Sequence, residues 1–406
     1  ERGVRIRLLL DDNGTSGLDG PLAALDALPA VEVRLFNPFI LRTPKAFGYA
    51  FDFIRLNRRM HNKSLTADGA VSILGGRNIG DIYFGLGAGV QFIDADVMVA
   101  GPAAVDIGTD FDRYWHSRSA HPIADIVGHG EPGALDRIAA EARQAIATAE
   151  GRRYIEQLRA SNIVERIAAG RLTFEPARVI LVSDDPAKGL GEAENRDLLF
   201  PQLMALLSTP SHSVDLVSAY FVPGRRFSEA LGQLARAGVR VRVLTNSQAA
   251  TDVVAVHSAY VKYRPYLLRS GVELYELKPA FSTRGDEDIA GLSGSSRASL
   301  HSKTLAVDED RIFIGSFNFD PRSVLLNTEM GVLIDSPRMA EALAASFSER
   351  VRATSYVPRL NGDGVVVWDE TAPDGTPISH RTEPLTTVFS RLLLRLLGLL
   401  PIEWLL

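Results

Sequence analysis

No cysteine occurs anywhere in the 406 residues, which excludes disulfides and thiolate metal sites. That absence fixes no compartment, because a disulfide-free chain suits either side of a membrane. Lysine is scarce: it supplies six of the 44 basic residues, and arginine the rest. Positive charge is not in surplus either, since the formal net charge is -5, so a general pull toward nucleic acid has no electrostatic basis. These residues carry no signal-like segment, and no apolar run is long enough to cross a bilayer comfortably. What the chain does have is 46% hydrophobic residues, enough to bury large cores.

Two stretches share one spacing. HNKSLTADGAVSILGGRN begins at His61, and HSKTLAVDEDRIFIGSFN begins at His301. His61, Lys63, Asp68, Gly75 and Asn78 of the first recur, at identical offsets, as His301, Lys303, Asp308, Gly315 and Asn318 of the second. Given the scarcity of lysine, Lys63 and Lys303 in the same slot are not an accident of composition. A single copy of such a pattern would be weak; two in matching surroundings are not. Each copy reads as strand, turn, strand, and alternation puts His and Lys on the same face.

A neutral imidazole beside a fixed ammonium suits a phosphate. Asn78 and Asn318 each add an amide donor, and the small pairs Gly75-Gly76 and Gly315-Ser316 should let backbone N–H groups approach an anion. Two such sets facing each other would enclose one phosphodiester. Asp68 and Asp308 stand an odd step from their histidines, which assigns them to holding the turns. Arg55, Arg58, Arg59 and Lys63 cluster before and within the first motif and should favour an anionic substrate locally.

The surroundings repeat as well. Residues 4–10 read as a buried strand, 18–28 as a helix and 31–36 as a strand, an α/β rhythm. ERGVRIRLLLDD at the start resembles RAGVRVRVLTNS from Arg236. Upstream of the second motif stand further strands, at 177–183 and 214–222, and a helix at 227–237. The first motif has no such upstream part here, so a native N-terminal segment is expected to precede it. Residues 94–99 resemble 329–334, aligning Asp94 with Glu329 and Asp96 with Gly331.

These features divide the chain into a first half (1–128), a helical bridge (129–170), a second half (171–359) and a C-terminal strand and tail (360–406). Helical pattern covers 111–170, the Gly/Ser-rich 282–299 reads as a mobile loop at the substrate entrance, 337–354 as a helix and 365–368 as a short strand. In the tail, Pro384, Thr387, Arg391, Arg395 and Gly398 share one helical face, with leucine and phenylalanine elsewhere. Such a helix lies in a membrane interface or docks on the enzyme's own apolar groove.

The paired His-x-Lys-x4-Asp motifs resemble the phospholipase D superfamily over nearly the whole chain. SAYFVPG, GGRNIGDIYF, NTEMGVLID and the terminal LLPIEWLL look most like bacterial cardiolipin synthases of the C type. The resemblance implies two similar α/β halves, each a mixed sheet flanked by helices, with the active site at their interface. It implies a phosphohistidine intermediate, with His61 as nucleophile and His301 as acid and then base, although the sequence is too symmetric to choose. Lys63, Lys303, Asn78, Asn318, Gly76 and Ser316 would hold the phosphate, with no metal or other cofactor. Asp94 and Glu329 would each fix a histidine tautomer, Asp94 or Asp96 supporting the first histidine.

Phosphatidylglycerol and phosphatidylethanolamine are the implied substrates, a bacterial inner membrane surface the implied location, and one chain would suffice for a site. The rivals are a phospholipase D using water, a nuclease of the same superfamily and a non-catalytic membrane-binding module. Against the last two stand the acidic balance and two complete motifs. His116, His121, His129, His212, His257 and His380 lack repeated partners and read as structural or surface residues.

Overall fold

The structure, a computed structural model, describes residues 3–42, 44–84, 91–128, 130, 133–207, 209–279, 298–372 and 374–406. The expected entrance loop at 282–299 falls almost wholly outside them.

A ten-stranded mixed sheet dominates the second half. Its order is Pro377–His380, Val366–Thr371, Ser355–Leu360, Glu273–Leu277, Arg240–Asn246, Ser213–Ser218, Lys303–Val307, Arg311–Gly315, Met330–Asp335 and Arg178–Ser183. Successive residues of its central strands point to opposite faces, and both faces are covered. Leu216, Leu305, Val307 and Phe313 meet the helices Leu199–Leu206, Gly224–Arg236 and Val254–Arg269. Val217, Ala306, Ile312 and Ile314 meet the helix Pro337–Ser346, and in the same cluster lie Leu74, Val99, Ala103 and Ile107 of the first half. One apolar core is therefore continuous between the halves.

Apart from Gln91–Ile93, the described strands of the first half are divided between two three-stranded sheets. Ile6–Asp11 pairs parallel with Val31–Phe36, which pairs antiparallel with Ala120–Pro122. Separately, Ser64–Ala67, Val71–Gly75 and Asp96–Ala100 form an antiparallel meander. In the second half Ser213–Ser218 joins the equivalent strands by pairing with both Arg240–Asn246 and Lys303–Val307. No described strand does this in the first half, so Ile6 stays about half exposed and Leu65 more so, where a buried strand was expected at 4–10.

Both motif hairpins turn through left-handed residues, Asp68 and Gly69 in one and Asp308 and Glu309 in the other. Asp308 accepts from the backbone N–H groups of Ser211, His212 and Ser213, tying the turn to the entry of the neighbouring strand. The helical bridge is broken into Ala134–Ala147, Ala149–Ser161 and Ile163–Ala168, and the strand Ala120–Pro122 interrupts what read as continuous helix from 111. The helix read over 337–354 contains a π-helical stretch, Phe347–Val351.

Candidate active site

Each motif histidine is anchored by the opposite half. The His61 N–H donates to Thr328 O at 2.8 Å, and the His301 N–H to Ile93 O at 2.7 Å. Around them Met60 bridges to Thr328, and Ala298–Leu300 pairs parallel with Gln91–Ile93. Sequence identity of the two motifs has become a pseudo-twofold interface.

The supporting carboxylates also cross over, which corrects the expected assignment. Glu329 of the second half meets Nδ1 of His61 at 2.8 Å, and Asp94 of the first half meets Nδ1 of His301 at 2.6 Å. Asp96 is not a histidine partner: its carboxylate holds Arg77 at 2.6 Å. Donating Nδ1–H to a carboxylate leaves Nε2 with the reactive lone pair. Lys303 Nζ lies 3.0 Å from Nδ1 of His301, but that nitrogen's proton belongs to Asp94, so the contact is a charge neighbouring the ring.

Both carboxylates sit on small residues. A Cβ on Gly76 would collide with Asp94 Oδ1, and Ser316 Oγ donates to Glu329. The expected backbone anion cradle is absent at these positions, because the Gly76 N–H donates to Ala95 O and the Ser316 N–H to Met330 O. Their smallness serves the close approach of strands and carboxylates instead. Glu329 is further fixed by Asp184, which accepts from its N–H and pairs with Lys188, each at 2.8 Å.

Lys63 and Lys303 both reach back to the carbonyl oxygen of their own motif histidine. Burial depresses the Lys63 ammonium to about 7, with repulsion from Lys303 added and attraction to Glu329 and Asp94 opposing. Burial lowers Lys303 and His61 too, and holds His301 well below its ordinary value, where Lys303 and Lys63 add to the effect. Burial pushes Asp94 up. It acts on Glu329 likewise, but His61 and Lys63 outweigh it and hold that carboxyl below its ordinary value. A phosphodiester anion between the lysines would favour their charged forms again.

Asn318 is buried with its Oδ1 unpartnered among the described residues, whereas Asn78 donates to the Tyr83 hydroxyl at 2.6 Å. Arg55, Arg58 and Arg59 do not form a free basic patch: Arg55 pairs with Asp52, Arg59 with Asp11, and Arg58 donates to the carbonyls of Lys188 and Leu325. Tyr83 and Asp184 were not found from the sequence. Tyr83 had one signal, standing in GDIYF directly after the first motif. Asp184 had none, lying far from either motif in the chain. Among the described residues no histidine and carboxylate group is arranged to hold a metal ion.

Two histidine–lysine sets at the seam of two related halves define a phospholipase D-like enzyme. Residues 203–351 match the family described as "Cardiolipin synthase, PLD-like domain". The chain is 46% identical to cardiolipin synthase C of Escherichia coli over all of its own length and 85% of that protein. It is 25% identical to cardiolipin synthase B of the same species over 94% of this chain and 72% of that one. Among solved structures it is similar to a phosphatidylserine synthase of Haemophilus influenzae, with a TM-score of 0.46 and 15% identity over 74% of this chain and 63% of the other. The chain therefore belongs to the phospholipase D-like cardiolipin synthase family.

Proposed function

We propose that the chain forms cardiolipin by moving a phosphatidyl group from a donor phospholipid to the hydroxyl of phosphatidylglycerol. The observation that carries this reading is the crossed pair of carboxylate-supported histidines beside two lysines, in a chain so close to cardiolipin synthase C. His61 Nε2 attacks phosphorus, the bond to the headgroup oxygen breaks, and His301 gives that oxygen its proton. The acceptor hydroxyl then yields its proton to His301 as its oxygen attacks phosphorus and the P–N bond breaks. Lys63 and Lys303 neutralise the oxygens as charge builds on them, and the Asn318 amide donates its N–H groups to them. Phosphatidylethanolamine is the donor the resemblance favours, and water as acceptor gives the competing hydrolase.

The experiment is a trap. Brief exposure of the protein to donor lipid labelled in its phosphate, followed by denaturing quench, should leave acid-labile, base-stable label on His61 and none in His61→Ala. Label on neither histidine would contradict the covalent step.

One chain suffices for this site, and a bacterial inner membrane surface is its natural location. The C-terminal helix Val388–Gly398 supports that placement, for Val388, Phe389, Leu392 and Leu396 are exposed although Leu394 is buried. Arg395 of the same helix is exposed as well, as suits an anionic bilayer. Among the described residues no helix is long and apolar enough to cross a membrane.

A further inference from the structure

The two histidines are equivalent in sequence but not in surroundings. Tyr83 lies against His301 alone: ring centroids are 5.1 Å apart at an interplanar angle of 80°, and the hydroxyl is 3.4 Å from Nε2. Phe92 packs against both rings, at 5.0 Å from Tyr83 and 5.1 Å from His301. The Tyr83 oxygen already accepts from Asn78, which frees its own proton for an acceptor, and among the described residues His301 Nε2 is the one within reach of the hydroxyl. His61 Nε2 has no hydrogen bond among the described residues. The same distance beyond Asn318 stands Ser323, a buried residue whose N–H caps onto Asp320. At that offset the second motif therefore carries no tyrosine.

We propose that Tyr83 is a further catalytic residue, a neutral hydroxyl that holds the reacting nitrogen of His301 unprotonated between its two proton transfers. After His301 has protonated the leaving alcohol, its Nε2 must stay free until the acceptor hydroxyl arrives. A proton taken from water in that interval stalls the phosphoenzyme. Donation by Tyr83 favours the neutral imidazole over the imidazolium, and it gives way to the acceptor's own O–H without any change in charge. Burial keeps the phenol at about 12, so it remains a donor throughout the working range. The other groups acting on His301 are Asp94, Lys303, Lys63, His61 and Arg77, and none of them is a neutral donor at Nε2. The His301 role invoked here rests on the proposed transferase reading; the Tyr83 contact does not.

The test is Tyr83→Phe in the full chain, which keeps the ring and removes the hydroxyl. Nitrogen-15 imidazole titration should show the His301 pKa rising while that of His61 stays in place. With mixed phosphatidylglycerol and phosphatidylethanolamine vesicles, transfer measured one pH unit below the raised His301 pKa should slow by about tenfold, because only about a tenth of the imidazole is then neutral. The phosphoenzyme should accumulate, and raising the pH should restore much of the rate. An unmoved His301 titration overturns the proposal whether or not the enzyme makes cardiolipin. So does a variant that forms phosphoenzyme as slowly as it transfers it. If wild type makes no cardiolipin, the titration still decides the role of the hydroxyl and only the transferase reading falls.

Discussion

Lys63 carries the clearest pH signature of any single residue. Its ammonium is charged below about 7 and neutral above, and the charged form is the one that attracts a lipid phosphate. Affinity should therefore be full at lower pH and be lost as pH rises through that value. The KM for donor lipid should climb roughly tenfold per pH unit once past it, the rate at which the charged fraction falls. Lys63→Arg keeps its charge and should flatten the climb even if its absolute rate is lower. A wild-type KM that is constant from pH 6 to 9, measured by steady-state kinetics on mixed micelles, would contradict this assignment.

At the scale of elements, the C-terminal segment is held at both ends and left open between them. Glu383 joins the buried Arg264 at 2.7 Å, and the Arg322 guanidinium and N–H take the carbonyls of Leu405 and Leu406. Between these clamps the Val388–Gly398 helix packs on the Val254–Arg269 helix, where Gly398 comes close to Ser258 O, and turns its leucines outward. Leu392→Asp with Leu396→Asp should abolish flotation with phosphatidylglycerol vesicles while leaving activity on detergent-dispersed lipid within about twofold, as expected of substitutions on an exposed surface. Unchanged flotation would exclude the helix as the membrane contact.

This element also shows what a sequence conveys and what it withholds. Amphipathic spacing revealed the helix; the docked reading describes the face that packs on Val254–Arg269, and the opposite face is exposed. The motif hairpins were legible because alternation and left-handed turns are local properties. The split first sheet was not, since it depends on whether a strand remote in sequence bridges two others. Likewise the repeat located Asp94 and Glu329, but local alignment cannot say that each carboxylate crosses to the opposite half. Asp184 and Tyr83 act only through contacts made by folding. The arginines near the first motif misled for a related reason: composition counts charges but not the carboxylates and carbonyls that absorb them.

The whole molecule is two unequal halves sharing one core and one site. Each half anchors the other's histidine by a backbone hydrogen bond and orients it with a carboxylate. Neither half therefore holds a supported histidine of its own, and loss of either should remove the complete reaction. The most direct measurement incubates the protein with phosphatidylglycerol vesicles, with and without phosphatidylethanolamine, and identifies the lipid products by mass spectrometry. Cardiolipin is predicted from the wild type, increasing when phosphatidylethanolamine is present, and none from His61→Ala or His301→Ala. Phosphatidic acid without cardiolipin, or cardiolipin surviving either substitution, would contradict a composite phosphatidyl-transferring site.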